Sequence, residues 1–230
     1  MFVAIAGHQR FEELSFAGQL TPKQEFFMAT STLSSLAAVS RHPDHAVDRF
    51  FVDRWSPRAF SGDVIDHEDL MILFEAARWA PSSYNNQPWR FLYARRGTKD
   101  WDRFVGLLDD FNHTWAPNAG ALIVFVAKTT FDFNGQPAVT HQFDTGAAWA
   151  QLALQASLRG LIAHGMQGFD YARAKQELGI PDGYAVLAMA AIGRPGDPST
   201  LPADLREKEK PSDRRKLEQT ICEGRWNLRS

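Results

Sequence analysis

Residues 73–91 read Leu73-Phe-Glu-Ala-Ala-Arg-Trp-Ala-Pro81-Ser-Ser-Tyr-Asn85-Asn-Gln87-Pro-Trp89-Arg-Phe91. Three kinds of local structure meet in this stretch. Asp66 stands at a cap position, Asp69 lies three residues on, and Leu70, Leu73, Phe74 and Ala77 recur at helical spacing. Pro81 disfavours helical backbone in the residue before it, so the helix ends near Trp79. Ser82–Pro88 is then a polar loop, and Trp89–Ala94 reads as a strand.

The same reading extends outward. Ala121–Lys128 and Tyr184–Ile192 are strand-sized apolar runs, and Leu161–Gly168 reads as a short strand and turn. Thr98 starts a helix carrying Trp101, Phe104, Leu107, Leu108 and Phe111. Thr145–Leu158 is an Ala/Leu/Gln helix with Gly160 as its C-terminal cap. Asp170–Leu178 is a small helix stopped by Gly179, and Asp44 to Asp53 is another short one. Helices outnumber strands, so the fold class is α+β, a small sheet wrapped by helices.

Residues 1–43 read as an N-terminal extension, mostly helical. Thr21-Pro22-Lys23-Gln24 combines a cap, a first-turn proline and a glutamine three residues after the cap. That helix runs to about Ser40, before His42-Pro43; Met28, inside it, offers an alternative start. Residues 44–230 form the main domain, with a tail from 194 rich in proline and charge.

The chain has 230 residues, 44% hydrophobic and 23% charged, which suits a globular protein able to bury its own core. A net charge of -2 argues against a dedicated nucleic-acid binder. Cys222 stands alone, so neither an intrachain disulfide nor a cysteine-rich zinc site is available. No apolar run reaches the roughly 18 residues of a membrane span, and Met1–Gly7 lacks a basic leader and cleavage site. The expectation is a cytoplasmic protein.

Several chemistries are excluded by missing motifs. The histidines are scattered and form no His-Glu-x-x-His pair, so no metal site is expected. There is no Gly-x-Ser-x-Gly elbow, Walker loop or Gly-x-Gly-x-x-Gly fingerprint. A nicotinamide cofactor, if used, is therefore not held by a Rossmann unit.

Two loops carry chemistry. Arg54-Trp55-Ser56-Pro-Arg58 places two guanidiniums and a hydroxyl together, which suits a phosphate or, equally, surface salt bridges. In Ser82–Trp89, Asn85, Asn86 and Gln87 donate and accept at once. They suit a ligand edge such as the pyrimidine side of a flavin, or simply satisfy the helix end.

In sequence order, Arg54–Phe60, Leu73–Ala80 and Pro81–Phe91 together resemble the nitroreductase family. Ala121–Ala127 is similar to its central strand, and Asp144-Thr-Gly-Ala-Ala-Trp-Ala-Gln-Leu-Ala-Leu to its core helix. Gly165–Phe169 resembles its loop beside the flavin, and Arg214–Glu218 its basic C-terminal stretch. The resemblance covers about residues 44–221.

The resemblance implies a nitroreductase-like fold: a central mixed sheet of few strands in an intertwined homodimer, with FMN at the subunit interface. It assigns Arg54, Ser56 and Arg58 to the phosphate and the ring O2 side, with Arg214 reaching the phosphate. Asn85 matches a ring contact contributed by the partner chain. Gln167 and Gly168 match the loop whose backbone N–H approaches flavin N5. Trp55 and Gln87 lie inside the two motifs and join the cofactor-binding set. Ser212 departs from the pattern, standing where many members carry Lys or Arg, so the roles of Ser212 and Arg215 stay open.

The implied activity is transfer of electrons from NADH or NADPH to an electron-poor acceptor such as a nitroaromatic or quinone, in ping-pong fashion through flavin N5. No catalytic acid or base of the protein is required. Trp101–Trp115 and Phe131–His141 match substrate-channel regions, although Trp115, Phe131 and Phe133 fit core packing equally well. The alternatives are a flavin-binding protein without turnover and a family member that reduces an aldehyde or halogenated substrate.

Overall fold

The structure, a computed structural model, describes residues 36, 37 and 40–228. The expected helix from Thr21 to about Ser40 lies almost wholly outside the described residues. Helices are α1 (Arg49–Asp53), α2 (His67–Arg78), α3 (Trp101–Val105), α4 (Asp110–His113), α5 (His141–Leu158), α6 (Tyr171–Glu177) and α7 (Ala203–Arg206). Strands are β1 (Trp89–Arg95), β2 (Ala121–Lys128), β3 (Ile162–Met166) and β4 (Tyr184–Gly193).

The strands form one sheet in the order β1-β2-β4-β3. Each described pairing is antiparallel, where a mixed sheet was expected. The α+β class stands. Strand β2 is buried on both faces because its side chains alternate between two cores. Leu122, Val124 and Val126 face a cluster with Trp101, Phe104, Trp115 and Phe169. Ala121, Ile123 and Phe125 face another with Leu70, Leu73 and Leu152, contributed by α2 and α5. The sheet is thus the middle of three layers, and a one-residue slip of β2 would exchange its two sets of side chains.

Helix α5 ends in a Schellman arrangement. Gly160 takes a φ of 66°, the Leu161 N–H donates to Ala156 O at 2.9 Å, and the Gly160 N–H donates to Ser157 O at 3.0 Å. The turn delivers the chain directly into β3, beside the helix it has just left.

Two expected helices differ in extent. The run from Thr98 to Phe111 divides into α3 and α4. Residues around Leu108 instead pair with the Phe169 segment: Asp109 N–H donates to Gly168 O and Asp170 N–H to Leu107 O, at 3.1 and 2.8 Å. Asp109 then restarts the helix as a cap, accepting from Asn112 N–H at 2.8 Å. The helix expected from Asp44 is formed only from Arg49, and Asp44 is held by the tail through Lys216 at 2.9 Å.

Among the described residues, no helix is long and apolar enough to cross a membrane. Leu152→Ala, at a fully buried position of α5, is expected to cost about 2–5 kcal/mol in urea denaturation. Leu158→Ala, 57% exposed on the same helix, should stay within about 0.5 kcal/mol. Equal losses at both positions would contradict the packing described.

Candidate functional site

The site begins where α1 stops. Arg54 caps the helix in extended backbone, and the loop to Phe60 crosses the end of the sheet. Four contacts fix it. One Glu209 carboxylate oxygen accepts from both Arg58 N–H and Ala59 N–H, at 2.6 and 2.8 Å. Gly196 N–H donates to Ala59 O at 2.8 Å, and Phe60 bridges to Pro195. Gly196 must lack a side chain, because a Cβ there would collide with the Phe60 backbone.

This loop and the tail enclose a cavity of about 340 Å³ lined by Arg41, Arg54, Trp55, Ser56, Arg58, His164, Lys208, Lys210, Ser212 and Arg214. Six of these side chains are Arg or Lys, and none is a carboxylate. Arg54 donates to Ser56 Oγ at 3.2 Å. Its pKa is lowered by burial and then by the neighbouring Arg214. Two buried donors in the lining, Trp55 Nε1 and Arg58 Nε, have no hydrogen-bond partner. A crowd of cations, beside unsatisfied donors, is the environment an anion stabilises.

His164 lies in the same wall, from β3. Its Nδ1 is 2.9 Å from Pro57 O, and its ring centroid is 4.6 Å from that of Trp115. Burial, and next in size among the lowering effects the charge of Arg58, hold its pKa down to about 4, against the pull of the Pro57 hydrogen bond. It is therefore a neutral ring at pH 7. The Arg58 guanidinium stands 5.8 Å from the Trp115 ring centroid.

Next to the anion cavity lies a second one of about 400 Å³, which shares Arg54 and Ser56 with it and adds Trp149, Ala153 and Gly165. A third, of about 510 Å³, shares Trp149 and Gly165 with the second. Its walls include Phe125, Gln142, Thr145, Met166, Gln167 and Leu187, with no charged residue. Gly165 packs against the Trp149 ring, where a Cβ would come within 3.1 Å of it. The β2–β4 register slips between Phe125 and Val126, leaving Leu187 as an extra residue in this wall. The three cavities adjoin through shared walls as a trough, cationic at one end and uncharged at the other.

The expected site residues divide accordingly. Arg54, Trp55, Ser56, Arg58 and Arg214 come together at the cationic end, and Gln167 lies in the uncharged cleft. Gly168 follows Gln167 and is wedged against Asp109 and Asn112, whose side chains a Cβ would strike. Asn85 and Gln87 line none of these cavities. Their loop is held apart: Ser83 N–H donates to the buried Asp144 at 3.2 Å, and Gln87 N–H donates to Ser82 Oγ at 3.0 Å. Tyr84, Asn85 and Gln87 have φ values of 52°, 52° and 46°, a strained left-handed backbone that the surrounding bonds maintain. Trp115 is core, 1% exposed, whereas Phe133 is 64% exposed and clusters with Tyr84 and Phe131.

Four lining residues escape motif reading. Arg41 sits in an apparent extension and His164 inside a strand. Lys208 and Lys210 belong to the charged tail, where six basic against three acidic residues between Arg206 and Lys216 were the one available signal.

A trough with fixed cations at one end and an uncharged cleft at the other, in an α+β fold lacking a dinucleotide fingerprint, suits an anionic ligand with an uncharged body. The nitroreductase family model matches residues 52–194, and the chain belongs to that family. A crystal structure described as the oxidoreductase containing FMN is 45% identical, with a TM-score of 0.79, covering 82% of this chain and 97% of its own. A 15.4 kDa protein of Mycolicibacterium smegmatis is 37% identical over 149 residues, 60% of this chain and 97% of its own. A Streptomyces coelicolor protein named "Putative NADH dehydrogenase/NAD(P)H nitroreductase" is 27% identical over 187 residues, 72% of this chain and 91% of its own.

The buried His164 gives a testable pH effect. Above pH 6.5 the ring is neutral in folded and unfolded chains alike. Between 6.5 and about 4 only the unfolded chain takes up the proton, so stability falls through that window as pH falls. The drop in Tm from pH 7 to 4.5 should be smaller for His164→Gln than for the wild type. An identical drop in both proteins would show that His164 is not buried in its neutral form.

Proposed function

We propose that this protein is an FMN-dependent oxidoreductase, acting as a homodimer, that moves electrons from NADH or NADPH to an electron-poor acceptor such as a nitroaromatic or quinone. The observation that carries this reading is the trough of three adjoining cavities. Its cationic end matches a phosphate, its middle a polyol-sized passage, and its uncharged end a flat ring. The FMN named for the 45%-identical structure and the donor named for the Streptomyces relative support the same reading.

The residues present fit FMN by their own chemistry. Arg54, Ser56, Arg58 and Arg214 would take the phosphate, with Lys208 and Lys210 lowering the cost of its two charges. When bound, FMN supplies a two-electron carrier that accepts and returns hydride at N5. The chain's own part is to hold, orient and exclude water. Gln167 and the Gly168 backbone are assigned to the ring's N5 side, and Gly168 can approach closely because it has no side chain. The uncharged walls of the cleft keep water from the stacking face, on which donor and acceptor would alternate in a ping-pong sequence.

Asn85 would complete the ring contacts from a second copy of the chain. Its exposed, rigidly strained loop stands outside its own trough. Val139, Phe143 and Tyr84, each 80% exposed or more, leave apolar surface that a partner would cover.

Purified protein is expected to be yellow and to bleach under anaerobic NADH or NADPH, with colour returning on addition of a quinone. Protein that stays colourless, and gains no thermal stability from added FMN, would remove the basis of this proposal. Arg54→Ala should weaken FMN binding by about 10- to 150-fold, the worth of one or more charged hydrogen bonds, measured by fluorescence titration. An unchanged Kd would exclude Arg54 from the phosphate.

A further inference from the structure

We infer that Arg41 is a phosphate-binding residue of this site, supplied by a segment that precedes the family-matched residues. The match begins at residue 52, so this position lies outside what the family description covers. The inference rests on the FMN reading above.

Arg41 closes a helical turn, its N–H donating to Ala37 O at 2.9 Å. Its side chain then enters the protein and is only 7% exposed. Nε donates to Ser212 O at 2.8 Å. Nη1 donates to Val52 O and to Arg54 O, at 2.7 Å each. These bonds fix the plane of the guanidinium and leave the Nη2 donors, on a residue that lines the cationic cavity. A planar group pinned along one edge with its remaining corner free is suited to an oxyanion.

The charge argues further. All three acceptors are neutral carbonyls, so nothing bonded to Arg41 offsets its buried positive charge. Arg214 and Arg54 stand close enough, with burial, to lower its pKa, against a weaker opposing pull from Asp213 and Asp53. A staple between three carbonyls needs donors but no net charge, and burying an uncompensated cation among other cations is costly. A phosphate dianion in the cavity reverses that cost. Arg41 also bonds the carbonyl of Ser212, the tail position where the sequence lacks the expected cation. Arg41 thus ties the segment before α1 to the tail that lines the same cavity.

The test compares FMN with riboflavin, which carries the same ring and ribityl chain without the phosphate. Full-length wild-type protein, Arg41→Ala, Arg41→Gln and Arg41→Lys are freed of flavin and titrated with each. The readout is the ratio of the two dissociation constants, which can be measured on any variant that folds. In Arg41→Ala and Arg41→Gln the preference for FMN should fall about tenfold or more, as for loss of one charged hydrogen bond. Arg41→Lys, which keeps the charge, should retain most of the preference. A purely structural role predicts either equal weakening of both flavins, or, through the bonds to Arg54 and the tail, a loss of preference that Arg41→Lys spares no more than the uncharged donor Arg41→Gln; either result would overturn the inference. If the wild type binds neither flavin, it is the FMN reading itself that fails; a wild-type preference unaltered in the variants rejects the role of Arg41 alone.

Discussion

Like charges crowd one end of this molecule. Arg41, Arg54, Arg58, Lys208, Lys210 and Arg214 surround a single cavity with no carboxylate in its lining, and two of them are desolvated enough for their pKa values to fall. Such an assembly opposes itself, and only the surrounding structure holds it. Glu209 supplies much of that hold from behind, accepting the Arg58 and Ala59 backbone N–H groups and bringing a negative charge near the loop without entering the cavity. The tail is therefore a structural member of the site, although it lies beyond the family-matched residues.

The layered fold serves the same end. β2 and β4 are buried enough to be rigid, and the irregularity at Leu187 bends β4 where the uncharged cleft needs a wall. The tight Gly160 turn places β3 beside α5, which brings Gly165 and Gln167 opposite Trp149 and Thr145. Two glycines, at 165 and 168, stand where a methyl group would meet a neighbour. Close packing against the sheet, rather than a flexible loop, thus sets the shape of the trough.

Much of this architecture could be read in the residues. Pro81 stopped α2 where expected, and the apolar runs at 121–128 and 184–192 became the central strands, because long apolar periodicity and proline act locally. The division of α3 from α4 could not be read. It follows from hydrogen bonds to residues 168–170, some sixty positions away in sequence. The guanidinium loop was legible as a motif, while Arg41 and His164 were not. Their roles arise from distant segments folding onto one wall, and a lone arginine after an apolar run of sequence gives no local sign of that. The carboxamide loop is the opposite case. Its sequence is distinctive, yet one chain alone does not bring it to the trough.

The lining of the cationic cavity comes from segments far apart in the chain, from Arg41 to Arg214. A dianion bound there would tie residue 41 to residue 214 and make heat resistance a function of ligand supply, since a ligand that binds only the folded form stabilises it by mass action. If that dianion is the proposed FMN, a cell short of its vitamin precursor would hold less of this protein, because the loosened segments around residues 41 and 214 would be open to proteases.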